Sequence, residues 1–224
     1  MKLPSPKCVY NSMRSFLFYA ISGAALVSLA MAAQNPPTFA ASGPATVGQT
    51  APNFTLTGAD GKPHALSDFA GKYIVLEWTN PQCPFVHKFY DSGTMQKLQS
   101  DETAKGVVWL RINSSAEGKD GFQTPADITA YEKENHVSST LTLIDSEGKV
   151  GHLYGARNTP QMFVIDPKGT LIYAGGIDNK PSANPDDIAT AKNYVTAALD
   201  ESMAGQPVST PTARPYGCSV KYGD

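Results

Sequence analysis

The sequence predicts an α/β fold in which a central mixed β-sheet carries helices on both faces. Three observations support this prediction: apolar strand runs alternate with helical patterns in the first half of the chain, a turn signal joins two strand runs in the second half, and a capped helix follows. The chain has 224 residues and 41% hydrophobic content. Once its two ends are set aside, this is enough for one ordinary domain with a buried core.

The strand and helix around Cys83 organise the first half of the chain. Residues 73–78 are apolar at nearly every position, which is typical of a central strand covered on both faces. A polar bend ends at Cys83, and Pro84 then opens a helix that we expect to reach residue 99. Within that helix, the Ser-Gly pair at residues 92–93 predicts a bend or a break. One sulfur therefore lies at a strand-to-helix junction.

The remaining elements complete the sheet and its cover. Further strands are predicted at residues 54–57, 107–112, 141–144, 161–165 and 170–174, and a short helix around residues 152–154. The last two strands form a hairpin, because Asp-Pro-Lys-Gly at residues 166–169 supplies tight-turn residues. Residues 124–127 (Thr-Pro-Ala-Asp) cap a helix. Asn184 caps a final helix whose apolar side continues to Met203.

Both ends of the chain are predicted to lie outside the domain. Residues 1–33 are typical of a secretory signal peptide, with a basic residue, an apolar run and a small-residue cleavage site; the alternative is an N-terminal anchor that is retained. Residues 34–50 predict a flexible linker, and residues 206–224 a Pro-rich tail that carries Cys218. The domain itself is expected over residues 51–205.

Composition excludes some classes of partner. Removal of the signal peptide takes away Lys2, Lys7 and Arg14 and no acidic residue, so the net charge falls from −2 to −5. No basic face suited to nucleic acid remains. After removal of the signal peptide, no membrane span is expected.

Two cysteines, Cys83 and Cys218, remain in the mature chain, because Cys8 lies in the predicted signal peptide. An exported protein works in the periplasm or outside the cell, where disulfides persist. The pair is therefore a structural staple, a redox couple or two independent thiols.

Two segments carry a family resemblance. WTNPQCPFV (residues 78–86) and NTPQMFVIDPKGTLIYAG (residues 158–175) resemble the alkyl hydroperoxide reductase and thiol-specific antioxidant (AhpC/TSA) superfamily, over about residues 51–205. The resemblance implies a thioredoxin-like three-layer sandwich. It implies that Cys83 is the reactive cysteine, and that Thr159 and Pro160 form a cis peptide facing it. It also makes Trp78 a candidate for substrate binding; the alternative is packing in the core.

The sequence departs from this family at two places. A thioredoxin site is Cys-x-x-Cys, but here the fourth position is Val86, so no neighbouring thiol can release a mixed disulfide formed at Cys83. The peroxidase branch carries a hydroxyl residue three before the cysteine and a proline seven before it, where this chain has Asn80 and Leu76. Peroxide chemistry stays open, because an exposed thiolate forms a sulfenic acid.

Cys218 is the candidate to release such a mixed disulfide. Its neighbours Arg214 and Lys221 favour a thiolate, as the helix start does for Cys83. Cys218 then acts as a resolving thiol on a mobile arm. In the competing interpretation the two cysteines form a permanent bridge, and in a third Cys218 pairs with another molecule. We prefer the resolving role, because sulfurs at helix starts are reactive and leave easily.

Other polar residues near the cysteine are weaker candidates. His87 lies four residues after Cys83 and Glu77 lies inside the preceding strand, so either is a candidate proton relay; Glu77 is otherwise an edge residue facing water. Arg111 is predicted to be a surface cation at a strand end. Together with Cys83, the histidines His87 and His152 raise a copper or zinc site, but we predict no metal site because the motif holds one cysteine.

These features predict an exported thiol-dependent oxidoreductase and antioxidant redoxin. Cys83 attacks a disulfide or a hydroperoxide, Cys218 resolves, and a thiol protein or a small thiol supplies electrons without a bound cofactor. The alternative is a non-catalytic thioredoxin-fold module for binding or metal handling, with a structural bridge between the two cysteines.

Overall fold

The computed structural model describes residue 39 and residues 43–223. The predicted signal peptide at residues 1–33 lies outside the described residues. Along the described part of the chain, no helix is long and apolar enough to cross a membrane.

The described residues form nine strands and five α-helices. The strands are β1 (Thr55–Gly58), β2 (Pro63–Ala65), β3 (Ile74–Trp78), β4 (Val108–Asn113), β5 (Leu141–Ile144), β6 (Asn158–Thr159), β7 (Gln161–Ile165), β8 (Leu171–Gly175) and β9 (Cys218–Ser219). The helices are α1 (Pro84–Asp91), α2 (Thr94–Ala104), α3 (Pro125–Glu134), α4 (Lys149–Tyr154) and α5 (Tyr194–Met203), with 3₁₀ turns at Leu66–Phe69 and Pro185–Thr190. The break predicted at residues 92–93 separates α1 from α2.

Seven strands form one mixed sheet, in the order β2-β1-β5-β4-β3-β7-β8. The neighbours β3 and β4, and β4 and β5, run parallel, while the other pairs are antiparallel. Because β3 lies between β4 and β7, all five of its residues are buried. The predicted α/β class and central position of this strand are confirmed. β6 and β9 form a separate two-stranded pair.

Hydrophobic cores cover both faces of the sheet. Alternate β3 residues Ile74, Leu76 and Trp78 enter one core, which also holds residues of α4. Val75 enters the opposite core with residues of α1, α2 and α5, and Cys83 belongs to that second core. This is the three-layer, thioredoxin-like arrangement that the sequence predicted.

The second face also buries a polar cluster around Glu77, which is fully buried. Its carboxylate accepts hydrogen bonds from Tyr90 Oη (2.9 Å), Gln99 Nε2 (3.0 Å) and Trp109 Nε1 (2.8 Å). Opposite it in the β3–β4 register stands Arg111, whose Nε lies 4.0 Å from Glu77 Oε1.

The prediction that Arg111 is a surface cation is therefore wrong. Its side chain is 1% exposed, and its guanidinium carbon lies 5.3 Å from the ring centroids of both Tyr90 and Tyr131. The pattern of the strand did not show this, because the charge that holds Arg111 inside comes from Glu77 on the neighbouring strand.

The final helix starts later than predicted. Asn184 caps only the 3₁₀ turn Pro185–Thr190, and Ala191 then turns to extended backbone. Asn193 begins α5, because its side-chain oxygen accepts the backbone N–H groups of Val195 and Thr196. A second capping residue thus divides one predicted helix into two elements.

Both terminal segments pack on the domain where they are described. In the predicted linker, the Ala45 and Gly48 N–H groups donate to Leu153 O (3.0 Å) and Leu171 O (2.8 Å). In the tail, Val220 N–H donates to Arg157 O at 3.0 Å. The described tail therefore lies against the domain, with its backbone hydrogen-bonded to Arg157 and paired with β6.

We expect Arg111→Met to lower the free energy of unfolding by about 3–5 kcal/mol, because it leaves the buried Glu77 carboxylate without its countercharge. Urea unfolding measures this loss, and the double variant Glu77→Gln/Arg111→Met should recover part of it. The matched control is Lys97→Met, which removes an exposed ion pair with Asp101 and should cost about 1 kcal/mol or less. Equal costs for the two single variants would contradict the assigned charge pairing.

Candidate active site

Cys83 lies between the end of β3 and the start of α1. It is the N-cap residue, with extended backbone (φ −85°, ψ 121°), and Pro84 follows as the first helical residue. The Cys83 N–H group donates to Asn80 O at 3.1 Å, which closes the bend. Only 1% of Cys83 is exposed. The buried sulfur thus lies at the helix start, where the Val86 N–H group lowers its pKa.

The cis peptide between Thr159 and Pro160 faces this sulfur, as the family resemblance implied. Cys83 Sγ donates to the Thr159 backbone oxygen at 3.0 Å. The Thr159 hydroxyl is buried without a hydrogen-bond partner, and the Thr159 side chain lowers the pKa of the Cys83 thiol. Both strand β6 and the chain leading into β7 therefore contribute to the surroundings of the cysteine.

The C-terminal tail places a second sulfur at the same point. β9 runs antiparallel to β6, with Cys218 opposite Thr159 and Ser219 opposite Asn158. Asn158 Nδ2 donates to Gly217 O at 2.9 Å. Cys218 and Cys83 are both free thiols, and their side chains lie close enough for each to shift the pKa of the other. The structure thus brings together two cysteines separated by most of the domain.

Gly217 makes this approach sterically possible. Its φ is +110°, a conformation that L side chains rarely adopt. A Cβ atom at Gly217 would lie 2.1 Å from Thr159 O and 3.3 Å from Phe85 Cβ. The backbone of the tail can therefore reach β6 only with a glycine immediately before Cys218.

Tyr216 anchors the tail on the other side of this glycine. Its ring centroid lies 5.9 Å from that of Phe85, in an edge arrangement, and its hydroxyl donates to Asp178 Oδ1 at 2.5 Å. Lys88 Nζ lies 3.7 Å from Asp178 Oδ2, with both side chains buried. Sequence reasoning missed Tyr216, Asp178 and Lys88, although an aromatic residue two before a cysteine was a visible signal.

A cavity of about 710 Å³ lies beside this anchored segment. Its lining includes Asn158 and Gly217 next to β9, and the exposed side chains of Arg157 and Arg214. The recess beside the tail thus carries two exposed arginine side chains, and the buried Asp178 also lines it.

The pKa values of the two thiols are shifted in opposite directions. Burial raises the pKa of the Cys83 thiol, but hydrogen bonds from the Cys218 and Thr159 side chains and from the N–H groups of Cys218 and Val86 outweigh it. The pKa of Cys83 consequently lies below its ordinary value. Burial and the hydrogen bond to Cys83 raise the pKa of Cys218 to about 11. Of the two thiols, Cys83 therefore loses its proton more readily and Cys218 less readily.

The expectation that the neighbours of Cys218 make it a thiolate is therefore wrong. Lys221 does lower its pKa, but burial and the contact with Cys83 are larger effects. The sequence shows the nearby positive charges, but it does not show that Cys83 lies beside Cys218 and raises its pKa.

The sequence pattern of the AhpC/TSA family matches residues 47–174, more than half of the chain. The chain belongs to the AhpC/TSA family. The match contains Cys83, Thr159 and Pro160 and ends before the tail that carries Cys218.

Curated relatives of this AhpC/TSA chain include a thiol-disulfide oxidoreductase ResA from Bacillus thuringiensis, 28% identical over 126 residues, or 56% of this chain and 67% of the relative. The thioredoxin-like protein YneN of Bacillus subtilis is 27% identical over 135 residues, or 59% of this chain and 74% of the relative.

Two solved structures resemble most of the domain. A hypothetical protein from Sinorhizobium meliloti aligns with a TM-score of 0.67 at 25% identity, covering 80% of this chain and 95% of its own. An uncharacterized conserved protein from Geobacillus kaustophilus gives 0.66 at 27% identity, covering 80% and 93%. The same architecture therefore occurs in proteins from two different bacteria.

Trp78 does not belong to the site, so its predicted role in substrate binding is wrong. The residue is fully buried in the first core, 5.1 Å from Phe163 and 5.6 Å from Tyr154 between ring centroids. Its Nε1 donates to Ser114 Oγ at 3.0 Å. Because β3 alternates faces, Trp78 points to the face of the sheet opposite Cys83.

The two candidate proton relays are engaged elsewhere. Glu77 is a buried carboxylate and not an edge residue facing water. Its oxygens accept hydrogen bonds from Tyr90, Gln99 and Trp109. His87 is 43% exposed, and its Nδ1 lies 3.2 Å from Asp91 Oδ1. Neither side chain has a described contact with the Cys83 sulfur.

The histidines do not converge on the cysteine. His152 stacks on Tyr222, with 4.1 Å between ring centroids, while His87 pairs with Asp91. Among the residues that the structure describes, no group of three or more His, Cys, Asp or Glu side chains is placed to hold a metal ion.

We expect Cys218→Ala to raise the pH at which Cys83 becomes reactive, because it removes the side-chain donor that stabilises the thiolate. Iodoacetamide alkylation across pH, followed by peptide mass spectrometry, gives the midpoint for each cysteine. In the wild type the Cys83 midpoint should lie below that of an ordinary thiol and the Cys218 midpoint near 11. Identical Cys83 midpoints in wild type and Cys218→Ala would refute the hydrogen bond.

Proposed function

We propose that the protein is an exported thiol-disulfide oxidoreductase in which Cys83 attacks and Cys218 resolves. The observation that supports this most strongly is the pairing of β9 with β6, which places the Cys218 thiol beside Cys83, whose pKa lies below its ordinary value. The printed name of the ResA relative adds support. The charged, apolar and small-residue pattern of residues 1–33 supports export to the periplasm or beyond.

The reaction begins when the Cys83 thiolate attacks one sulfur of a substrate disulfide. The second substrate sulfur leaves as a thiolate, and Cys83 remains in a mixed disulfide with the first. The cis Thr159–Pro160 segment lies against the sulfur and positions the incoming chain. Only 1% of Cys83 is exposed, and Cys218 of the tail lies beside it, so we expect the tail to move aside for this step.

Resolution takes place when the tail returns. Cys218 loses its proton, attacks the Cys83 sulfur and releases the substrate as a thiolate, which leaves a disulfide between Cys83 and Cys218. The substrate has gained two electrons and the protein has lost two. Two electrons from a thiol protein or a small thiol restore both cysteines, and Cys83 leaves readily because its thiolate is the more stable one.

The geometry supports disulfide substrates more than hydroperoxides. Asn80, at the position where the peroxidase branch has a hydroxyl residue, is committed to structure: its Nδ2 donates to Ser115 Oγ (3.2 Å) and Asp120 O (3.0 Å), and its Oδ1 accepts from Gln82 N–H (2.7 Å). It is therefore not free to polarise a peroxide.

A non-catalytic module with a permanent Cys83–Cys218 bridge is the competing function. The two proposals differ in the reduction potential of the pair. Catalysis requires a reversible couple above about −300 mV, whereas a structural bridge resists reduction until the protein unfolds. A redox titration with thiol alkylation and mass spectrometry measures this potential in the folded protein.

We predict that Cys83→Ser abolishes reduction of a protein disulfide, because the attacking thiolate is gone. Cys218→Ser should still attack but should accumulate the mixed disulfide at Cys83, visible as a mass adduct. Hydroperoxide consumption is measured in the same variants and should be low in all of them. Equal disulfide reduction by wild type and Cys83→Ser would sink the mechanism.

A further inference from the structure

The tail occupies the position that a substrate must take. Attack by Cys83 requires a substrate sulfur against its own sulfur, and Cys218 is the group found there. The backbone around Cys218 is bound as a strand, with Cys218 opposite Thr159 and Val220 N–H donating to Arg157 O. A substrate chain that pairs with β6 therefore displaces β9 and follows the same path.

This path admits only glycine immediately before the cysteine. At Gly217 the backbone has φ +110°, and a Cβ atom would lie 2.1 Å from Thr159 O. The obstructing atom belongs to the backbone next to a buried side chain, so a rotamer change cannot relieve the overlap. Any other L-residue at this position would force the incoming strand away from β6.

Two positions before the cysteine, the path meets a site for an aromatic residue. Tyr216 packs edge-on against Phe85, and its hydroxyl donates to the buried carboxylate of Asp178. Lys88 Nζ lies 5.8 Å from the Tyr216 ring centroid. Stacking surface, a cation and an acceptor for a hydroxyl together fit tyrosine.

The position immediately after the cysteine does not restrict the substrate side chain, but the next position does. Ser219 is exposed, whereas Val220 is half-buried and packs against the first core. An apolar residue is thus accommodated two positions after the cysteine.

We infer that the tail marks the docking path of the substrate, and that this path selects an extended protein segment with tyrosine two positions and glycine one position before its cysteine. The inference rests on the proposed function, since it names the substrate class of that site. It also makes the tail of the protein an internal competitor for the site.

Synthetic peptides test this selectivity. The probe is RPYGCSVKY with its cysteine in a mixed disulfide with thionitrobenzoate, and the comparison peptides are RPYACSVKY and RPAGCSVKY. In the Cys218→Ser protein, the Cys83 thiolate attacks the peptide sulfur, and coloured thionitrobenzoate leaves as a thiolate. Mass spectrometry confirms the peptide on Cys83.

The glycine peptide should react at least about tenfold faster than the alanine peptide, because alanine is strained at positive φ and overlaps Thr159 O. The peptide without tyrosine should be slower by roughly threefold or more, because it lacks the ring contact with Phe85. Adding Gly217→Ala to the Cys218→Ser protein should displace the tail and speed the reaction with RPYGCSVKY.

Equal rates for the three peptides in both proteins would overturn the inference and leave the proposed function intact. Both proteins are also treated with the symmetrical disulfide of thionitrobenzoate, which carries no peptide. If alkylation shows that Cys83 is reduced, but neither protein forms an adduct with this disulfide or with any peptide, the proposed function fails as well. The two failures are therefore distinguishable.

Discussion

The backbone pairing of β9 with β6 is the interaction on which the arrangement of the site depends. Thioredoxin-like sites place two cysteines one helical turn apart, but here Val86 fills the second position. A second cysteine is supplied by the tail, because the pairing of β9 with β6 places Cys218 opposite Thr159. Closing so long a loop is costly in an unfolded chain, roughly 4–5 kcal/mol in the chain-entropy model. The free energy of folding and of tail docking offsets this loss of chain entropy before the two cysteines react.

The pairing of β9 with β6 also makes the pKa values of the two cysteines differ. The side chains of Cys218 and Thr159 and the N–H groups of Cys218 and Val86 lower the pKa of Cys83, while burial and the contact with Cys83 raise that of Cys218. One thiol is therefore activated at the expense of the other. This difference suits a sequence of attack followed by resolution, because Cys83 ionises more readily than Cys218 and is the better leaving group when the pair is reduced.

The sequence predicted what depends on local patterns. The strand before Cys83, the break at residues 92–93 and the cap at Thr124 follow from apolar runs, glycine and hydrogen-bonding side chains, and all three are observed. The predictions for Trp78 and Arg111 failed for a different reason. In a strand buried on both faces, composition does not indicate which face a residue takes, and a buried charge depends on a partner from another strand.

The tail was the largest difference between prediction and structure. Its proline-rich composition is typical of a linker, but its binding depends on contacts with residues far away in the sequence. Gly217 packs closely against the Thr159 backbone, and the hydroxyls of Tyr216 and Tyr222 donate to Asp178 Oδ1 and Ala156 O. A tyrosine, a glycine and a cysteine in succession were visible in the sequence. Only the fold shows that they meet β6.

The effective concentration of Cys218 toward Cys83, measured against glutathione at redox equilibrium, tests the central claim most directly. In Gly217→Ala it should fall at least about tenfold below the wild-type value, because the tail can no longer pair with β6. Gly205→Ala is the matched control: Gly205 also has positive φ (+72°) but has no neighbour within 4 Å of an added Cβ, so the value should stay near that of the wild type. An unchanged effective concentration in Gly217→Ala would contradict the claim that this pairing holds the two sulfurs together.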